Sequence, residues 1–114
     1  MRIKCYCELY TGAGMEPKKN QMIQNLMERK LFPAVYVLTL PAGEKNQLEF
    51  FSSLELRQPA YDEKEVFVVG IAGSYDEAVY LIETIAEEVL EKTKTTNIRA
   101  FILENQRAFE KGMK

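Results

Sequence analysis

The two cysteines, Cys5 and Cys7, are the first residues in the sequence whose type suggests chemistry. A redox pair normally has two residues between its cysteines and lies at a helix start, where the helix dipole lowers the thiol pKa. Here one residue separates them within an alternating segment, and in a strand their Cβ atoms lie farther apart than the roughly 4 Å that a disulfide needs. We predict two free thiols on the apolar face of a strand. Two thiolates without further ligands also make a poor zinc site, so no metal is expected.

Histidine is absent from all 114 residues. This absence removes the commonest general base and metal ligand, together with every nucleophile–histidine pair. Glutamates and tyrosines that could transfer protons are present, but their spacing selects no pair. The sequence therefore indicates no catalytic residue and no cofactor.

Two glycine-containing segments, residues 11–14 and 70–74, could bind a small ligand. Each connects a predicted strand to a predicted helix, and backbone N–H groups at a helix start can bind an anion. Neither segment matches the phosphate-binding loop or the dinucleotide fingerprint, and Glu16, Asp76 and Glu77 already place negative charge at the helix starts. The candidate ligand-binding residues are those expected to line a pocket between these segments: Tyr10, Thr11, Gly12, Gly14, Gly73, Ser74, Tyr75 and Glu104.

Hydrophobic periodicity predicts the elements that must position these residues. Ser74 and Glu77 form a capping-box signature that predicts the start of the second helix. The predicted strands cover residues 2–10, 34–40, 48–57, 66–72 and 98–103, and the predicted helices cover residues 16–30 and 74–93. A turn cluster is predicted at 41–46. We expect one domain over residues 1–104, followed by a charged tail at 105–114.

This order of elements, β-α-β-β-β-α-β, contains two strand–helix–strand units joined by one strand. Right-handed crossovers would place both helices on one face of a single sheet. The expected fold is an α+β two-layer sandwich, similar to the ferredoxin-like fold with one extra strand. If strands two to four form an antiparallel meander, strands one and four are parallel. The two glycine-containing segments then meet at the same end of the sheet.

The sheet face opposite the helices is predicted to be open and aromatic. On alternation it carries Tyr6, Tyr10, Phe51 and Phe101, with either Tyr36 or the pair Val35 and Val37 from the second strand. A large exposed apolar patch usually marks an interface, and two-fold pairing is the commonest symmetric way to cover one. We therefore expect a homodimer formed through this face or through an edge strand.

Composition limits the partners further. The net charge of −2 argues against nucleic acid, and no apolar run is long enough to span a membrane. No signal-peptide pattern is present at the start of the sequence, which predicts a cytoplasmic location. The sequence thus predicts a small self-associating binding or regulatory module of unknown activity. The alternative is a small-ligand-binding protein or enzyme whose site lies where the two glycine-containing segments meet.

Overall fold

The computed structural model describes residues 2–28, 30, 34–41 and 47–112. The strands in this part of the chain are β1 (Arg2–Thr11), β2 (Tyr36–Thr39), β3 (Glu49–Ser52) and β4 (Glu65–Ala72). Its α-helices are α1 (Lys19–Met27), α2 (Tyr75–Thr93) and α3 (Ile98–Gly112). Short 3₁₀ helices occur at Glu16–Lys18, Ser53–Arg57 and Pro59–Tyr61. The predicted end of the first helix before Pro33 and the predicted turn at residues 42–46 lie outside the described residues.

The four strands form one mixed sheet in the order β1-β4-β2-β3. β1 is parallel to β4, whereas β2 is antiparallel to both β4 and β3. The apolar run of β4 lies in the centre of this sheet, as expected for a strand that is covered on both faces. The prediction of an α+β fold is therefore confirmed.

The helices cover both faces of the sheet. Val68 of β4 packs into a cluster with Met22 and Leu26 of α1, which we call the α1 core. Val69, the next residue, packs on the other side into a cluster with Ile85 of α2 and Ile102 of α3, which we call the α2/α3 core. The ferredoxin-like arrangement, with both helices on one face, is not confirmed.

The predicted last strand, residues 98–103, is wrong, because these residues form the first half of α3. The backbone N–H of Ala100 donates to Oδ1 of Asn97, which caps the helix start. Ile98, Ile102 and Gln106 are buried at four-residue spacing, which is the period of a helix face and not of a strand. The described chain consequently has four strands instead of the expected five, and residues 105–112 continue α3.

The predicted strand at 48–57 is only partly correct. β3 ends at Ser52, whose hydroxyl oxygen accepts a hydrogen bond from the backbone N–H of Leu54 and caps the 3₁₀ helix Ser53–Arg57. This turn brings Leu56, which is 3% exposed, into the α1 core. The alternation of apolar and polar residues in the sequence extends past the end of β3, because the 3₁₀ helix also places an apolar residue, Leu56, in the core.

Candidate functional site

The two glycine-containing segments do meet at one end of the sheet. Because β1 and β4 are parallel, their carboxyl ends lie side by side, and the backbone N–H of Gly12 donates to the carbonyl oxygen of Ile71 at 2.9 Å. This meeting of the two segments was expected from a sheet of five strands, and the described sheet has four. In the structure, β1 and β4 are parallel and pair directly with each other.

The Glu77 carboxylate lies between these two segments. One of its oxygens accepts from the N–H of Gly73 at 2.7 Å, and the other accepts from the N–H of Gly14 at 3.2 Å. The hydroxyl oxygen of Ser74 accepts from the N–H of Glu77 at 3.2 Å, so the predicted helix cap is present. A Cβ atom at Gly12 would collide with the Glu77 side chain, so a larger residue there would displace this carboxylate. The backbone donors that could have bound an external anion are used by a carboxylate of the chain itself.

The other candidate ligand-binding residues make separate contacts. The Tyr10 hydroxyl donates to Glu88 of α2 at 2.5 Å, and the Thr11 hydroxyl donates to Glu16. Burial and the hydrogen bond to the Glu88 carboxylate raise the pKa of Tyr10 far above its ordinary value. Tyr75 contacts aromatic rings of β2 and β3, and Glu104 is exposed on α3.

The cysteines are both free, but they do not share a face. The pairing of β1 with β4 shifts between Cys5 and Tyr10, so the alternation of β1 is interrupted. Cys5 packs against the α1 core and Cys7 against the α2/α3 core. Burial is the main reason that the pKa of each thiol is raised, which makes both poor nucleophiles at neutral pH.

The aromatic residues predicted for the open sheet face are divided between the two cores. Phe51 packs against the α1 core. The others pack in or against the α2/α3 core: Tyr6, Tyr10, Tyr36 and Phe101. Tyr6 is only 3% exposed, and its hydroxyl accepts a hydrogen bond from Asn105 of α3 at 3.0 Å. A helix layer on each side of the sheet therefore covers the surface that a two-layer fold would have left open.

A cleft of about 730 Å³ lies at the opposite end of the sheet from the glycine-containing segments. It opens where β2 ends at Thr39 while β4 continues to Glu65. The N–H of Leu40 still donates to the carbonyl oxygen of Phe67 at 3.1 Å, but no strand in the described part of the chain pairs with residues 65–67 on the β2 side. A volume of this size is in the usual range for small-molecule sites. The cleft is the candidate functional site.

One face of α3 forms a wall of this cleft. Arg99, Leu103, Gln106, Arg107 and Glu110 line it at three- and four-residue spacing. Arg99 fixes the start of the helix, because its backbone N–H donates to the side chain of Gln47 at 3.0 Å and its guanidinium donates to the carbonyl oxygen of Pro41 at 2.5 Å.

Gln106 holds the far end of this wall against the sheet. This side chain is 7% exposed, and its oxygen accepts from the N–H of Cys7 at 2.8 Å. Its amide nitrogen donates to Glu110 at 3.0 Å. The bond to Cys7 satisfies a β1 backbone group at the register shift, so α3 is attached to the strand that it crosses.

Aromatic rings and basic side chains occur together in the cleft. Lys4 lies 5.9 Å from the Phe67 ring and forms an ion pair with Glu110 at 2.7 Å. Lys64 lies 5.3 Å from the Tyr61 ring, which in turn packs against Phe51. The hydrogen bond from Lys4 lowers the pKa of the Glu110 carboxyl. The lining contains the basic residues Lys4, Lys64, Arg99 and Arg107 and the acidic residues Glu49, Glu65 and Glu110, so positive charge is in slight excess.

No pattern in the sequence predicted this site. Its α3 wall falls in the segment predicted as a strand and a tail, and reading that segment as a helix would have placed Arg99, Leu103, Gln106 and Glu110 on one face. No sequence pattern predicts that Lys4, Lys64 and Phe67 line the cleft, because their access to it depends on where β2 ends.

Comparisons with models of protein families, with curated proteins and with solved structures give no match for this chain. Among the described residues, no helix combines the length and the apolar character needed to cross a membrane. The described cysteine, aspartate and glutamate side chains also form no cluster of three that could hold a metal ion.

Proposed function

We propose that this chain is a binding module for a small molecule and that the ligand lies in the cleft between α3 and the amino end of β4. The observation that carries this proposal is the combination of a cleft of about 730 Å³ with aromatic rings and an excess of basic groups in its lining. Concave sites with an apolar lining and a few convergent polar groups are the usual places for small-molecule binding.

The lining favours a ligand with one anionic group and a flat apolar body. Tyr61, Phe67 and Phe51 offer ring surface for such a body, because aromatic rings pack well in offset or edge-to-face contacts. Lys64 and Arg107 would bind the anionic group. The ion pair between Lys4 and Glu110 neutralises two of the charges, so it leaves the basic excess intact.

The space between the glycine-containing segments supports a ligand less well. Glu77 already accepts hydrogen bonds from both segments, and an anion placed there would be repelled by its carboxylate. The cleft is preferred over the site expected from the sequence for this reason.

An aromatic sulfonate, 1-anilinonaphthalene-8-sulfonate, tests the proposal because it carries the required anionic group and apolar rings. Its binding should be measured by fluorescence titration, and its position by amide chemical-shift changes in NMR spectra. We expect the shifts to centre on residues 64–67 and on α3. The double variant Lys64→Gln/Arg107→Gln should weaken binding about five- to thirtyfold, because each of the two exposed charge contacts contributes about 0.5–1 kcal/mol.

Lys18→Gln provides a control, because Lys18 is exposed beside α1 and its substitution removes a positive charge away from the cleft. This variant should bind the probe like the wild type. Equal affinity of the wild type and the double variant would contradict the proposal, and so would shifts centred on Tyr75 and Tyr80 instead of on the cleft.

A further inference from the structure

Thr39, the last residue of β2, places a hydroxyl group at the wall of the cleft. The residue is 3% exposed, and no described residue forms a hydrogen bond with its hydroxyl. In the described part of the chain, no fully buried side-chain oxygen lacks a partner, so the small exposed fraction of Thr39 includes its oxygen. This oxygen therefore opens into the cleft, where a ligand can pair with it.

Thr39 lies on the side of the cleft that faces the α1 core. The lining of the cleft includes residues packed against each core, and Phe51 and Tyr61 are those packed against the α1 core. Side chains alternate along a strand, and Val37, two residues before Thr39, belongs to the α1 core. The register pairs Thr39 with Glu49, so these two side chains are neighbours on the same face.

The polar groups on this side of the cleft lie next to aromatic rings. The Phe51 and Tyr61 rings are 5.7 Å apart between centroids, and Lys64 lies 5.3 Å from the Tyr61 ring. Burial, followed by the nearby charge of Glu49, raises the pKa of Tyr61. In the described part of the chain, no ion pair joins Lys64 to Glu49. This side thus offers acceptor oxygens at Thr39 and Glu49 and a separate cation at Lys64.

We infer that the ligand of the cleft is an aromatic acid with a hydroxyl group on its ring, and that Thr39 selects this hydroxyl. The inference rests on the proposed function, because it names the ligand class of the same cleft. The ring hydroxyl donates a hydrogen bond to the Thr39 oxygen, and the acid group binds Lys64. Glu49 determines this orientation, because its carboxylate repels an anion beside Thr39 and favours a neutral donor there.

Three naphthoates test the inference, because they differ only in the group that would meet Thr39. 6-Hydroxy-2-naphthoate carries a donor, 6-methoxy-2-naphthoate carries an oxygen without a donor, and 2-naphthoate carries neither. Their dissociation constants should be measured at pH 7 by fluorescence titration. We expect the wild type to bind the hydroxylated probe about three- to tenfold more tightly than the other two, which is the net effect of one hydrogen bond.

Variants of Thr39 show whether this residue causes the preference. Thr39→Val replaces the hydroxyl by a methyl group, so the ratio of the dissociation constants should fall close to one. Thr39→Ser keeps the hydroxyl and should keep a preference for the hydroxylated probe. Thr84→Val makes the same exchange on the exposed side of α2, away from the cleft, and is the matched control that should keep the wild-type ratio.

The melting temperature of the ligand-free protein gives a second readout. A hydroxyl without a partner inside the protein does not stabilise the fold, so Thr39→Val should melt at or above the wild-type temperature. Circular dichroism measures this temperature. A clearly lower value for Thr39→Val would mean that the hydroxyl is bonded within the protein, which contradicts the inference.

Equal affinity of the wild type for the three naphthoates overturns the inference, and so does a preference that persists in Thr39→Val. If Thr39→Val fails to fold, the wild-type comparison alone decides. Equal binding with NMR shifts centred on residues 64–67 removes only this inference and leaves the proposed function in place. If no naphthoate binds, the inference fails as well, and the titration with 1-anilinonaphthalene-8-sulfonate shows whether the proposed function fails with it.

Discussion

Glu77 shows how one side chain can replace an external ligand. Its carboxylate accepts hydrogen bonds from Gly14 and Gly73, and Gly14 is 63 residues away in sequence. Negative charge at the start of α2 is also favoured by the helix dipole. A residue that the sequence predicted as part of a helix cap therefore also joins two loops.

Glu77→Ala should lower the free energy of unfolding by about 1–3 kcal/mol, because two backbone donors lose a charged acceptor. Glu77→Gln keeps one acceptor oxygen and should cost about half as much. Urea unfolding measures both values. Glu83→Ala, on the exposed side of the same helix, is the control and should stay within about 0.5 kcal/mol of the wild type. If Glu77→Ala were no more destabilised than Glu83→Ala, the hydrogen bonds that Glu77 accepts from the two loops would contribute nothing to stability.

The elements differ in how well local pattern predicted them. β1, β4 and α2 were predicted close to their observed bounds, because each has a long periodic segment or a clear cap. α3 was missed, because a short apolar run such as Ile98–Leu103 fits a buried strand and a helix equally well. The burial of Ile102 and Gln106 against β1 and α2 decides between the two, and these contacts are distant in sequence.

Ile102→Ala tests the packing of α3. Its side chain is fully buried in the α2/α3 core, so its truncation should lower the free energy of unfolding by about 2–5 kcal/mol. Phe109→Ala, on the same helix, removes a larger side chain that is 44% exposed and should cost clearly less. Urea denaturation compares the two variants. Equal losses, or a larger loss for Phe109→Ala, would mean that α3 does not pack as described.

For the whole molecule, titration behaviour follows from composition and burial together. Histidine is absent, so no side chain has an ordinary pKa between about 5 and 8. The hydrogen bond from Tyr10, followed by that from Lys92, lowers the pKa of Glu88, whereas burial and the bond to Glu88 raise the pKa of Tyr10. Glu88 therefore titrates below the ordinary pH range of a glutamate, and Tyr10 titrates above the ordinary pH range of a tyrosine.

The free energy of unfolding should be nearly constant between about pH 6 and 8 and should fall outside this range. A lowered carboxyl pKa stabilises the fold above the unfolded value of about 4.3, and this stabilisation is lost as the pH falls through the folded pKa of Glu88. A raised tyrosine pKa stabilises the fold below about pH 10, and this stabilisation is lost as the pH rises through the folded pKa of Tyr10.

Tyr10→Phe should make both losses smaller, because it removes the alkaline titration and the donor that lowers the pKa of Glu88. Urea unfolding across the pH range gives the profile. Tyr80→Phe, at a position that is 70% exposed, should reproduce the wild-type profile. A wild-type profile that slopes between pH 6 and 8, or a Tyr10→Phe profile parallel to the wild type, would contradict this account of the pair.

The sequence alone determined the α+β class, the central strand, the cap of α2 and the lack of histidine chemistry, because each depends on residue type or on periodicity within one segment. Tertiary structure decided that residues 98–103 are helical, that both sheet faces are covered, that Glu77 lies between the two loops and that a cleft opens beyond Thr39. These features depend on contacts such as the bond between Cys7 and Gln106, which are 99 residues apart. Local periodicity does not encode which distant surface an apolar side chain will meet, so only the folded chain shows where its cleft lies.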